Sequence, residues 1–217
     1  MGRAEIGVFG DWVVAVGTVI AALGTTPSVI NEGFYSIAED YPEHHQKLTD
    51  YLKVKLGFWG NLLQASGNII GAQAAEPGSL DQFGDQVGAT GNVTVIASLK
   101  EEISFEEEQA LFILGNALQA IGSLIGASIE FEATGNLAFL QGVSAVLEAI
   151  GNVLQILGAL LFFDEDIPSG RILIYYGSWI QAIGANFLFL FGAIELDVNE
   201  EESLEKRAQK QALLNQN

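Results

Sequence analysis

The chain alternates between long uncharged segments and short clusters of charge. Within the uncharged segments, apolar residues recur at three- and four-residue steps, as at Leu111, Leu114 and Leu118, which is typical of helices. The uncharged segments are 12–31, 56–75, 109–129, 133–147 and 172–194. Several of them approach the roughly 20 residues that cross a bilayer as a helix. The pattern predicts an all-α bundle of about six long helices.

Prolines, glycines and charges give these helices approximate bounds. The predicted helices cover about 7–24, 43–75, 80–99, 103–131, 134–163 and 170–196. The first is expected to end near Pro27 because proline removes a backbone donor. The whole chain, 1–217, is predicted as a single domain with four parts. These are a first repeat helix (1–31), a polar connector (32–55), the repeat helices (56–196) and an acidic, polar tail (197–217).

One eight-residue motif, GNxLQAxG, recurs inside the uncharged segments. Its copies are GNLLQASG at 60–67, GNALQAIG at 115–122, GNVLQILG at 151–158 and GSWIQAIG at 177–184. Seven residues make nearly two helical turns, so the two glycines of each copy share a helix face. We therefore predict that these helices pack tightly through glycine-heptad faces. The predicted packing residues are Gly60, Gly67, Gly115, Gly122, Gly151, Gly158, Gly177, Gly184, Gln64, Gln119, Gln155 and Gln181.

Glycine inside a helix costs about 1 kcal/mol relative to alanine, so its repetition needs a compensating contact. The usual compensation is the close approach of two helix backbones, which a Cβ would block. The glutamines are then expected to hydrogen-bond between helices, because an unpaired buried amide is costly. The Leu/Ile face must also be hidden, since it carries no charge. A bilayer, a multi-layer bundle and an assembly of copies all satisfy this condition.

Composition narrows the possible functions. The net charge is −18, which argues against nucleic-acid binding because phosphates require clustered Lys and Arg. There is no cysteine, so thiolate metal sites and cysteine nucleophiles are excluded. The negative charge is concentrated at 38–47, 101–108, 164–166 and 195–206.

Few residues offer candidate chemistry. Adjacent helical positions point about 100° apart, so His44 and His45 do not form a metal pair. The acidic run 164–166 lacks the spacing of a calcium loop and is interpreted as a charged turn. Glu148 interrupts an apolar run. It is either a functional intramembrane carboxylate or an exposed charge on a long soluble helix. We predict no catalytic residue, no cofactor and no metal site, and hence no enzyme.

The repeated GNxLQAxG motif and the segment GDWVVAVGTVIAALGTTPS at 10–28 resemble a family of uncharacterised, internally repetitive proteins of Bacillus-type bacteria. The resemblance covers most of the chain. Because that family has no established activity, the resemblance implies no site residues.

Three functional hypotheses remain open. The first is a non-catalytic membrane-associated or membrane-inserting helical protein, located at a membrane. The second is a soluble, cytoplasmic structural bundle that self-assembles into an oligomer or filament. The third is a soluble bundle that opens into a membrane pore. The expected partners are further copies of the chain and a lipid bilayer.

Overall fold

The fold is known from a computed structural model. It describes the backbone of residues 2–35 and 43–214, and the side chains of 2–26 and 51–211. Over these residues the chain forms six α-helices and no strands. They are α1 (Arg3–Tyr35), α2 (Glu43–Ala74), α3 (Leu80–Ser98), α4 (Phe105–Glu132), α5 (Asn136–Phe163) and α6 (Ile167–Leu214). The predicted all-helical class is confirmed.

The six helices form a closed ring. Each helix packs against its neighbours in sequence, and α6 returns to pack against α1. Within the described part of the chain, helices on opposite sides of the ring make no backbone-to-backbone contact. The arrangement is therefore a single-layer helical barrel, and any interior is bounded by one face of each helix.

Glycines let three helix pairs approach closely. Gly17 of α1 faces Gly60 of α2, and a Cβ on Gly17 would lie 2.7 Å from the Gly60 carbonyl oxygen. In the same way Gly91 of α3 faces Gly115 of α4, at 2.6 Å. The third pair is Gly151 of α5 and Gly177 of α6, also at 2.6 Å. A methyl group at any of these positions would force the paired helices apart.

The polarity of the barrel is inverted relative to a water-soluble domain. The apolar residues in its interior are almost all alanines, and they lie among buried Asn, Gln, Ser and Thr side chains. The large apolar side chains point outward, so that Leu114 is 51% and Ile121 is 49% exposed. Soluble domains place such residues inside. The chain therefore buries its glycine and amide faces and leaves its Leu/Ile faces uncovered.

Serine caps fix the starts of two helices. The Ser79 hydroxyl accepts a hydrogen bond from the Gln82 amide, and Ser104 accepts one from the Glu107 amide. Such caps satisfy donors that the first helical turn leaves unpaired. They place the beginnings of α3 and α4 within a few residues of the prediction.

Two predicted helix ends, those of α1 and α6, differ from the structure. α1 continues through Pro27 to Tyr35, since a proline removes only one backbone donor from a helix. The predicted helix over 43–75 is present as α2, so residues 43–55 of the predicted polar connector are its first turns. α6 includes the tail to Leu214, and its 48 residues form one helix about 72 Å long.

Candidate functional site

The four repeated glutamines meet inside the barrel. Gln181 of α6 donates from Nε2 to Gln64 Oε1 of α2 at 3.2 Å and to Gln119 Oε1 of α4 at 2.9 Å. Gln155 of α5 donates to Gln181 Oε1 at 3.0 Å. Gln119 also donates to Asn61 Oδ1 at 3.4 Å. Three of these four hydrogen bonds cross the ring, and the four together form a layer that we call the glutamine network.

A polar residue follows each glycine of the three close glycine pairs, and these residues complete the layer. The Nδ2 groups of Asn61, Asn92 and Asn116 each donate to the carbonyl four residues earlier, at 2.8–3.0 Å. Ser178 does the same at 2.8 Å. Asn152 is the exception, because it is 0% exposed and neither of its amide atoms has a partner among the described residues.

A large cavity lies on one side of the glutamine network, and we call it the acidic cavity. It has a volume of about 450 Å³. Gln64, Gln119 and Gln181 form its floor, and a smaller cavity on their far side shares all three residues. Polar residues therefore line the interior on both sides of the glutamine network, and its amide side chains separate the two cavities.

Six carboxylates from five helices line the acidic cavity. Arg3 is the one described cationic side chain in the lining. The carboxylates are Asp11 on α1, Asp81 and Asp85 on α3, Glu130 on α4, Glu148 on α5 and Glu195 on α6. The sequence places these residues far apart, and only closure of the ring brings them around one space.

The carboxylates repel one another across the cavity. Glu148 lies within range of the charges of Asp11 and Asp85, and Glu130 within range of Glu195. Glu195 accepts a hydrogen bond of 2.6 Å from Gln141 Nε2, which holds its carboxylate at the cavity wall. A low-dielectric site with several like charges is unfavourable unless a cation or proton compensates them.

The structure places Glu148 inside the barrel, and a functional role for its carboxylate stays a prediction. Its side chain is 7% exposed and lines the acidic cavity, so the interpretation as an exposed charge on a soluble helix is wrong. Its Oε1 atom has no hydrogen-bond partner among the described residues. The same holds for Oδ1 of Asn92, which also lines the cavity. Two buried acceptors therefore remain available to a ligand.

The eight predicted packing glycines all lie at helix–helix contacts. A Cβ on any of them would come within 2.5–2.8 Å of a backbone atom of a neighbouring helix. Three of the four predicted glutamines line the acidic cavity, and Gln155 lines the smaller one.

The sequence interpretation missed five of the six carboxylates. A signal for two of them was present, because the dipeptide Gly-Asp at 10–11 and 84–85 occupies the place of Gly-Asn at 67–68. Aligning the repeats would have put Asp11 and Asp85 on the same inward face as the asparagines. Asp81, Glu130 and Glu195 carry no comparable signal.

Other candidate groups lie away from the interior. The side chains of His44 and His45 lie outside the described residues. Asp164, Glu165 and Asp166 form an exposed turn in which Glu165 has a φ of 60°. Across the described residues, no three His, Asp or Glu side chains converge closely enough to chelate a bare metal ion. The carboxylates are therefore spread around the acidic cavity and do not form a tight coordination site.

The fold and the site define an all-helical protein with a polar, acidic interior and an apolar outer surface. Of the helices formed by the described residues, four are long and apolar enough to cross a membrane: Arg3–Thr26, Phe105–Glu132, Asn136–Phe163 and Ile167–Gln211.

The chain belongs to a family of unknown function, DUF6944, whose sequence model matches residues 5–189. This agrees with the predicted resemblance to an uncharacterised family. The bacterial group stays a prediction. No curated protein and no solved structure matches the chain.

Proposed function

We propose that the protein spans a membrane as a six-helix barrel and that its polar interior holds or passes a polar solute. One observation carries the proposal: large apolar side chains cover the outside, whereas amides, hydroxyls and carboxylates lie inside. In lipid this polarity is favourable, because apolar side chains face hydrocarbon and polar groups find partners within the protein.

Helix packing supports this proposal. Lipid gives helices no hydrophobic reason to associate, so membrane bundles rely on small residues and interhelical hydrogen bonds. The barrel uses both, in its glycine contacts and in the glutamine network. We include in the proposal that the barrel consists of glycine-heptad repeats, with the four motif copies on α2, α4, α5 and α6 and seven-residue glycine pairs at Gly10/Gly17 on α1 and Gly84/Gly91 on α3.

The exposed C-terminal end of α6 indicates which end of the barrel faces water. Residues 197–202 and 204–211 are exposed, and Lys206 pairs with Glu202 at 3.0 Å on the surface of this helix. Asn199, near the start of the projection, lines the acidic cavity. The cavity is therefore expected to open toward water on the side where the acidic tail lies.

The alternative is a soluble assembly in which copies of the chain cover each other's apolar faces. The outer faces of α2 and α3 favour it, because exposed Lys55, Gln86 and Thr90 interrupt their apolar surface. In a membrane, the same mixed face would suit contact with a second copy. We thus propose self-association in either environment and assign the protein no reaction.

Fractionation in detergent-free buffer tests the membrane proposal. We expect the protein to sediment with membranes, to resist a carbonate wash and to dissolve only with detergent. A soluble protein of defined mass would overturn the proposal, and light scattering would then give the size of the assembly. A soluble protein that inserts only when vesicles are added would favour the opening bundle.

Two arginine substitutions sharpen this test. Ile121→Arg places a charge near the middle of the outer face of α4, where insertion of Arg costs about 2.5–3.5 kcal/mol. Gln209→Arg adds the same charge to the exposed tail. We expect only Ile121→Arg to reduce membrane integration. In a soluble assembly, neither variant would sediment with membranes, and Ile121→Arg would instead weaken the contacts between copies, which light scattering would show as a smaller mass.

A further inference from the structure

The acidic cavity has the size and depth of a binding site for an elongated molecule. It extends from Arg3 to Val14 along α1. At a rise of 1.5 Å per residue, this corresponds to a depth of about 16 Å. A volume of about 450 Å³ then gives a mean cross-section of roughly 30 Å², wide enough for one extended chain.

The carboxylates are distributed along this depth. Asp81 and Asp85 lie one helical turn apart on α3, with Asp81 exposed and Asp85 partly buried. Glu148 lies deeper, where Gly184 of α6 packs against it one turn from the glutamine network. A ligand that follows the cavity inward therefore meets negative charge at successive levels.

The lining also limits the chemistry of the ligand. No aromatic side chain is among the described lining residues, so a quaternary ammonium would find no cation–π contact. No three described carboxylates converge on one point, which disfavours a dehydrated metal ion. The unpartnered Glu148 Oε1 and Asn92 Oδ1 instead require a hydrogen-bond donor.

We propose that the acidic cavity binds a linear polyamine, whose ammonium groups pair with carboxylates at successive depths and whose inner end donates to Glu148. This inference rests on the proposed function, since it names the solute class of the same interior. Several N–H donors on a narrow, flexible chain match both the spread of the carboxylates and the shape of the cavity.

Calorimetric titration of the detergent-solubilised protein with spermidine tests the proposal. We expect saturable binding of one spermidine per chain. Glu148→Gln and Asp85→Asn should each weaken it at least about tenfold, because each removes a charge-assisted hydrogen bond. Glu106→Gln removes the same charge at an exposed position at the start of α4, outside the cavity lining, and should leave the affinity unchanged. Thermal unfolding of each variant verifies that the barrel is intact.

Three results would overturn the proposal. Equal weakening by all three variants would mean diffuse attraction to the acidic protein. Displacement of spermidine by an equal concentration of Mg²⁺ would mean a hydrated-metal site, and the absence of saturable binding would mean no site. The membrane proposal fails separately: a protein that is soluble without detergent and still binds spermidine keeps the site and loses the membrane.

Discussion

Two glycines of α4 provide a direct test of the close helix contacts. A Cβ on Gly115 would lie 2.6 Å from Val95 Cγ2 and 2.8 Å from the Gly91 carbonyl oxygen, both on α3. A Cβ on Gly126 of the same helix would meet nothing within 4 Å. Gly115→Ala and Gly126→Ala are therefore the same chemical change on one helix, with and without a clash.

The expected difference in stability follows from two contributions, helix propensity and overpacking. Both substitutions gain about 1 kcal/mol of helix propensity, which cancels in the comparison. Gly115→Ala alone adds overpacking, which costs typically about 1–3 kcal/mol. Because one of the contacted atoms belongs to the backbone, α3 and α4 must separate and cannot relieve the clash by a rotamer change. Gly126→Ala should thus be stabilised and Gly115→Ala destabilised relative to it by about 1–3 kcal/mol.

Thermal unfolding followed by circular dichroism, in one detergent for both variants, measures this difference. In a protein of this size, 1 kcal/mol corresponds to about 2–4 °C, so Gly115→Ala should melt roughly 2–12 °C below Gly126→Ala. A second pair on α1 repeats the test. Gly10→Ala clashes with the Gly67 carbonyl oxygen at 2.8 Å, whereas Gly7→Ala meets Ala74 Cβ at an ordinary 3.9 Å. Equal melting temperatures within both pairs would refute the close-packing argument.

Buried amides give two further predictions. Gln181→Leu deprives its three amide partners of a hydrogen bond, each costing about 1–3 kcal/mol, and should lower the melting temperature strongly, whereas Gln209→Leu on the exposed tail should not. Similar melting temperatures for those two variants would mean that the glutamine network does not stabilise the barrel. Asn152→Leu removes two unpartnered buried amide atoms and should stabilise the protein by about 1 kcal/mol. Asn116→Leu, which deletes a bonded amide, should destabilise it in the same melting experiment, and the reverse order would contradict the hydrogen-bond assignment.

The sequence by itself determined the helices and their contact faces. Helical periodicity, prolines, glycines and charges are local signals, so the existence of the helices and most of their bounds followed from neighbouring residues. The seven-residue spacing of Gly115 and Gly122 can be read from the sequence, and helix geometry alone places both glycines on one face of α4. The helix end predicted at Pro27 was wrong, because the backbone of α1 continues through this proline to Tyr35.

Only the tertiary structure decided that the Leu/Ile faces stay uncovered and what the interior contains. The sequence predicted contact through the glycine faces, but it left open what covers the Leu/Ile faces, because both kinds of face are free of charge. The acidic cavity joins Asp11, Asp85 and Glu148 from three helices, and its shape depends on how α6 returns to α1. Interactions between residues far apart in sequence are set by this closure, because the helices that carry them are placed by packing and not by their own sequence.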